Sequence, residues 1–371
     1  MEIISLTGPD SHRLIMAPGV GGCAIGGPHA DLAVAPGDRL DWTVFDRFST
    51  PAGSPWPRWI RYEGDDTGWI EWSTGRPIEG FSWTPHAAHD IDLSRAGLGD
   101  FGLTLSHAPV RVVLPETTRF SAGGDLSLFT PVLGRGRPCP RLGFSPRTSA
   151  ATGIPVALPV MPAVAAATTV AVHVPPLRQP FDCASLLQFP DLRHLELSGS
   201  LTNLQALAEF RGLTGLELRF VPDLAGLPSV EGWPELSRLI AWNVDDRGGK
   251  PLRAQVRRST REWAYASVSR LRTGEWFASE YGLPFAAWPT RSAKVAVKAF
   301  RAARTTIDAA AGPETVEEAV RGFVAAINRL PRIETTERED AQVAVAQLTA
   351  VTPLGDLSGP AGVWFDETRE F

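Results

Sequence analysis

The sequence predicts an α+β protein, and three observations carry that expectation. Short runs in which apolar and polar residues alternate, such as RWIRY (58–62) and GLTLS (102–106), recur through the first half with turn residues between them. A frame of the form L-x-x-L-x-[LA] then appears three times, at 192–197, 213–218 and 236–241, stepping by 21 and 23 residues. Beyond Asp246 the apolar spacing changes to three and four, the period of a helix with one buried stripe.

Taken in order, residues 1–90 read as a β-rich N-terminal region. Glycine and proline recur every few positions in APGVGGCAIGGPHADLAVAPGD (17–38), RWIRY and GWIEWS (68–73) read as strands, and six of the twelve tryptophans fall here. Residues 91–245 read as an irregular strand stack passing into a regular one: GLTLS, VRVVLP, DLSLF, RLGFSP and TVAVHVP are strand-like pairs at uneven spacing. The Pro- and Ala-rich piece 145–169 is either a surface loop or a degenerate turn of the stack. Residues 246–371 read as a helical C-terminal domain, with helices over 252–272, 290–310, 314–330 and 336–351. Thr336 followed by Glu339 fits a capping box, and the aromatic tail AGVWFDETREF is expected to dock on the body.

The frame LRHLELS, LTGLELR and LSRLIAW, with LTNLQALAEFRG turning the chain back, resembles the bacterial leucine-rich repeat of the short-repeat class over about residues 186–245. The third copy departs at Ala241 and Trp242, and the usual turn asparagine is replaced around Ser200. The resemblance implies a solenoid in which Leu195 and Leu197 meet Leu216 and Leu218, while Leu201, Leu204, Leu207 and Phe210 close the coil from the other side. It also implies a strand face, commonly a protein-binding surface, made here of His194, Glu196, Ser198, Gly215, Glu217, Arg219, Arg238, Ile240 and Trp242. One repeat cannot bury its own apolar face, so the stack needs caps, for which the preceding strands and following helices are candidates.

Composition narrows the function classes. At 371 residues, with 43% hydrophobic and 21% charged side chains and no apolar run near the roughly 18 residues of a membrane helix, the chain reads as globular, with no membrane partner. Its start lacks a basic region followed by an apolar core, so a cytoplasmic location is expected. Cys23, Cys139 and Cys183 are too far apart for a disulfide framework and read as small buried hydrophobes. With 33 arginines against three lysines, and abundant Ala, Gly and Pro, the coding sequence is expected to be GC-rich and bacterial.

Charge is segregated. Residues 1–246 carry 18 basic and 26 acidic side chains, residues 247–304 carry 13 and 3, and residues 305–371 carry 5 and 12. Within the basic segment Arg291, Lys294, Lys298 and Arg301 form one helical stripe that suits an anion, interleaved in sequence with Trp263, Trp276, Phe277, Tyr281, Phe285 and Trp288. The alternative is a solvated face, or one paired with the acidic residues that follow. His86, His89, Asp90 and Asp92 are metal-capable but lack a recognised ligand spacing, so neither metal nor cofactor is expected. The phosphate-loop, nucleophile-elbow and zinc-protease motifs are missing, and GVGGCAIGG (19–27) does not fit a dinucleotide fingerprint. The expected function is therefore non-enzymatic recognition of another protein, as an immunity or scaffold protein. A nucleic-acid-binding protein using 247–304, and an enzyme or metal-dependent lectin built on the N-terminal β region, remain open.

Overall fold

The computed structural model describes residues 3–4, 12–13, 22–27, 30–47, 57–115, 119–134, 138–148, 153–175, 178–279, 281–349, 352–355 and 357–371. It is mixed α/β and separates into two compact units, Met1–Thr273 and Gly274–Phe371.

The first unit is organised by one large parallel sheet of twelve strands. In chain order these are β1 (Gly22–Gly26), β2 (Leu32–Ala33), β3 (Trp59–Glu63), β4 (Ile78–Thr84), β5 (Leu98–Leu105) and β6 (Arg119–Gly124). The rest are β7 (Arg141–Pro146), β8 (Thr169–His173), β9 (His194–Ser198), β10 (Gly215–Arg219), β11 (Arg238–Trp242) and β12 (Tyr265–Ser269). From β3 to β12 each strand lies beside the one before it, and β1 lies between β2 and β3. Parallel neighbours cannot be joined by a tight hairpin, so the chain must travel back between strands, and the return segments carry structure of their own. Strands His89–Asp92, Val110–Val113 and Phe129–Val132 pair in a second parallel sheet, and Phe181–Asp182 pairs with Leu201–Thr202.

Alternation along each strand sends every second side chain to the core, and the register lines those side chains up. Leu195 pairs with Leu216 and Leu216 with Leu239; Leu197 pairs with Leu218 and Leu218 with Ala241. Both columns extend upstream of the leucine frame. The first continues through Val170, Leu142, Phe120, Phe101 and Phe81, and the second through Val172, Phe144, Ala122, Leu103 and Trp83. In this upstream half the column is aromatic: Phe101 lies 6.2 Å from Phe81 and 5.6 Å from Phe120, with Trp69 stacked 4.3 Å from Phe81. Leu186, Leu204, Leu207, Phe210 and Trp233 of the return segments are buried against the same core.

Each of the last four strands ends in a residue with positive φ: Gly199 (107°), Phe220 (52°), Asn243 (52°) and Arg270 (49°). The sharp left-handed step lets the chain leave the sheet and turn back. Glycine takes it freely, Asn tolerates it, and Phe and Arg take it at a cost of about 1 kcal/mol or more. The turn asparagine absent near Ser200 thus occupies the corresponding position in the third copy, as Asn243.

Four expectations are corrected. GWIEWS is a short helix, α1 (Gly68–Ser73), because Trp69 and Trp72, three apart, both enter the core. The expected helix 252–272 is instead α2 (Asp246–Arg258) followed by β12: Asp245 caps α2 by accepting from the N–H of Arg247 and Gly248, and Ser259 ends it in an extended conformation. In YASVS the alternation then turns Ala266 and Val268 toward the core. The boundary between units consequently falls at 273/274 rather than 245/246. Residues 91–245 are irregular only in the length of the return segments, since their strands keep continuous register.

The second unit contains α3 (Gly274–Ser279), α4 (Thr290–Asp308), α5 (Pro313–Asn328), α6 (Thr335–Thr349) and α7 (Ser358–Thr368). Its core gathers Phe300, Val320, Phe323, Val345, Leu348 and Phe365, with the C-terminal Phe371 packed against it. Thr336 lies inside α6, and the N-terminal contact is made by Glu337, which accepts from the N–H of Glu334.

Two substitutions test the columns. Leu216→Ala, at a fully buried rung, is expected to cost about 2–5 kcal/mol in urea unfolding. Gly199→Ala puts a methyl 1.8 Å from the Val174 carbonyl oxygen at a φ of 107° and is expected to cost about 2 kcal/mol or more, whereas Gly37→Ala, with open space around it, stays within about 0.5 kcal/mol.

Candidate functional site

The sheet face turned away from the core carries the other half of every strand. Register arranges its side chains in rows. His194 lies beside Gly215 and Gly215 beside Arg238; Glu196 beside Glu217 and Glu217 beside Ile240; Ser198 beside Arg219 and Arg219 beside Trp242. The eight side chains expected to bind a partner (His194, Glu196, Ser198, Glu217, Arg219, Arg238, Ile240, Trp242) thus stand on one face, three strands wide.

Glu196 and Glu217 are like charges on adjacent strands, a destabilising arrangement unless it is compensated. Arg219 bridges them, with Nε 3.7 Å from Glu196 and a guanidinium N–H donated at 3.0 Å to Glu217, while Arg238 donates at 3.3 Å to the other Glu217 oxygen. The four groups hold one another in place at the surface, where each pair contributes about 1 kcal/mol or less. Trp242 is fixed from two sides: the Phe220 ring meets it edge-on at 4.8 Å and the Arg270 guanidinium sits 5.5 Å from its centroid. The two residues that hold it are the two paying for left-handed backbone.

Upstream the same face forms a cavity of about 890 Å³, reaching from Asp100 on β5 to Arg238 on β11. Sequence reasoning missed its upstream wall, Asp100, Arg119, Arg141 and Thr169, together with Arg193. The signal was present: RFSAGG and RLGFSP each begin with an outward arginine. Their register was not. In the structure Asp100 pairs with Arg119 and Arg119 with Arg141. A recess of about 280 Å³ adjoins the cavity at Asp100 and Arg119 and ends at Trp59, which is 53% exposed. The Trp59 ring lies across Gly80, where a Cβ would come within 2.1 Å of it, and its Nε1 donates to Glu79 at 3.1 Å. Of the tryptophans in the N-terminal region, Trp42, Trp69, Trp72 and Trp83 are core residues and Trp56 lies outside the described residues.

Two histidines report the field in this cavity. The His194 ring lies over Gly215, whose missing Cβ leaves room for it, and its Nε2 is 3.4 Å from the Thr214 hydroxyl. Burial holds its pKa below the ordinary 6.5, and Arg141 and Arg238 lower it further against the opposing pull of Glu217. His173 is lowered too, first by burial, with Arg119 and Arg219 adding to the effect and Glu196 opposing it.

The other candidates are dispersed. His86 contacts Glu63 at 3.1 Å, His89 contacts Asp65 at 3.2 Å and Asp90 pairs with Arg111, so the metal-capable side chains face separate partners. Among the described residues no three such groups converge. Arg291, Lys294, Lys298 and Arg301 lie on the exposed side of α4, opposite Val297, Phe300 and Ile307, and among the described residues Arg291, Lys294 and Lys298 have no acidic partner. The aromatic residues nearby serve packing: Phe277, Phe285 and Trp288 are buried, and Trp288 donates to Asp340 at 2.9 Å. The basic segment 247–304 is itself divided between the two units. No described helix is long and apolar enough to cross a membrane. Comparison with family models, with characterised proteins and with solved structures finds no match for this chain.

The His194 environment gives a measurable outcome. Followed by NMR at its ring Cε1 proton, His194 is expected to titrate below 6.5, and Arg141→Glu to raise its midpoint. Because the unfolded chain takes up this proton first, the histidine lowers stability as pH falls from about 6.5 through the folded midpoint, and His194→Gln is expected to flatten that part of the stability curve.

Proposed function

We propose that the large parallel sheet is the strand layer of a short leucine-rich-repeat-like solenoid, and that the face away from its core recognises another protein without catalysis. The observation that carries this reading is the cavity of about 890 Å³ bordered by in-register rows of mixed charge and ending near an immobilised tryptophan. Interface anchors are typically aromatic or arginine side chains already held in one conformation, since little rotamer freedom is then lost on binding. Trp242, Arg219 and Arg238 meet that description. An immunity or scaffold role in a bacterial cytoplasm suits such a surface.

The test is capture from lysate of the native host on the immobilised full chain. A protein retained in stoichiometric amount by the wild type and reduced at least about tenfold by the combined Glu217→Arg, Arg219→Glu and Trp242→Ala variant is the expected result, a tenfold loss corresponding to about 1.4 kcal/mol. Undiminished retention by that variant overturns the reading.

A further inference from the structure

The charges in the cavity are not evenly answered. Glu217 is held by both Arg219 and Arg238, Glu196 faces Arg219, and Arg193 donates to Glu235 at 2.6 Å. Arg119 has Asp100 as its neighbour on one side in the row. Arg141 is different. It is exposed, it lies in register with Arg119, and it makes no hydrogen bond or ion pair with any described residue. Adjacent strands are about 4.8 Å apart, so the two guanidinium groups spring from neighbouring positions on one face, where like charges are destabilising. The sheet gains nothing from this placement, whereas two planar donor forks side by side match the oxygens of a carboxylate.

The rest of the cavity restricts what can bring that carboxylate. Asp100, Glu196 and Glu217 line the same space, so a polyanion such as a nucleic acid backbone would be repelled at several points. A segment with an acidic side chain near Arg141 and neutral or basic side chains near the glutamates would not. The six strand steps from β5 to β11 span about 29 Å at 4.8 Å each, enough for about eight residues of extended chain at roughly 3.3–3.6 Å apiece.

We propose that the partner inserts an extended segment into this cavity, with an aspartate or glutamate side chain gripped by Arg141 alongside Arg119. The proposal rests on the protein-recognition reading above and specifies the chemistry of what is recognised. Because β6 and β7 are buried on their other face and held in register on both sides, the two arginines are mounted on rigid elements, and the cost of ordering falls mainly on the incoming segment.

The experiment uses a phage-displayed library of random octapeptides selected on the full-length protein and counter-selected on Arg141→Glu. That variant removes no described contact and is expected to match the wild type in circular dichroism and urea midpoint. The expected survivors share an Asp or Glu at one position. Replacing that residue by Asn or Gln in the synthetic peptide weakens binding about tenfold, and replacing it by Lys restores binding to the Arg141→Glu protein. Survivors lacking an acidic position, absence of enrichment, or enriched peptides that bind Arg141→Glu as well as wild type overturn the proposal. So does displacement of the peptides by millimolar inorganic phosphate with no charge-swap rescue, which would indicate a site for small oxyanions. A host protein captured through Glu217, Arg219 and Trp242 but indifferent to Arg141→Glu sinks this inference alone. Acidic peptides that satisfy the charge swap, with no host protein captured, sink the wider reading and leave this one standing.

Discussion

Leu216 lies in register between Leu195 and Leu239, and from that kind of alignment the rest of the first unit follows. Each inward rung is sealed only by the rungs above and below it, so its burial depends on its neighbours being in place. A fully buried leucine contributes about 2 kcal/mol through the area it removes from water, and truncation costs more, because a column between two fixed strands closes poorly over a void. The aromatic upstream half obeys the same constraint with different side chains. Phe81, Phe101 and Phe120 fill with one ring each the space that leucines fill downstream, and Trp69 and Trp72 of α1 complete the packing there.

The same alignment makes the opposite face. A slip of one residue between any two strands would exchange core for surface, so the register that buries Leu216 and Leu218 also places Glu217 between them, facing out beside Glu196 and Ile240. The surface electrostatics are thus tied to the core. The two glutamates cannot move apart, and Arg219 and Arg238 are positioned to compensate them. Arg119 and Arg141 are brought together by the same geometry without an equivalent compensation for Arg141. The depressed His194 and His173 register the arginines from either side of β8 and β9.

How much of this was legible depended on residue type. The leucine frame at 192–241 announced its strands, their inward positions and the outward face, because one amino acid repeated at a fixed step is visible without coordinates. Upstream, the inward column changes identity from Val170 through Leu142 to Phe120 and Phe81, and the return segments vary in length. Neither a residue nor a period recurs, and the sheet there is hidden from inspection even though each strand alternates. That is also why Asp100, Arg119 and Arg141 escaped notice: each is an ordinary charged residue near the start of a strand, and only pairing makes them neighbours. GWIEWS misled because two tryptophans three apart satisfy a helix as well as an alternating pattern satisfies a strand. Past Asp246 the dense arginines of 252–258 suggested a helix that continued too far, since the alternation in YASVS is short and only half apolar. From 290 onward the helices stand where their spacing put them, because four-residue periodicity over three or more turns has no competing explanation.

The order of strands in the large sheet bears on how the chain finds its fold. Parallel sheets usually join segments distant in sequence, and the entropy lost in closing those long excursions slows their assembly. Here Leu195 meets a partner 21 residues along and Leu216 one 23 residues along. Closure entropy grows only logarithmically with length, so every step is a modest search of similar size, and any adjacent pair of strands can serve as the seed on which the next is laid.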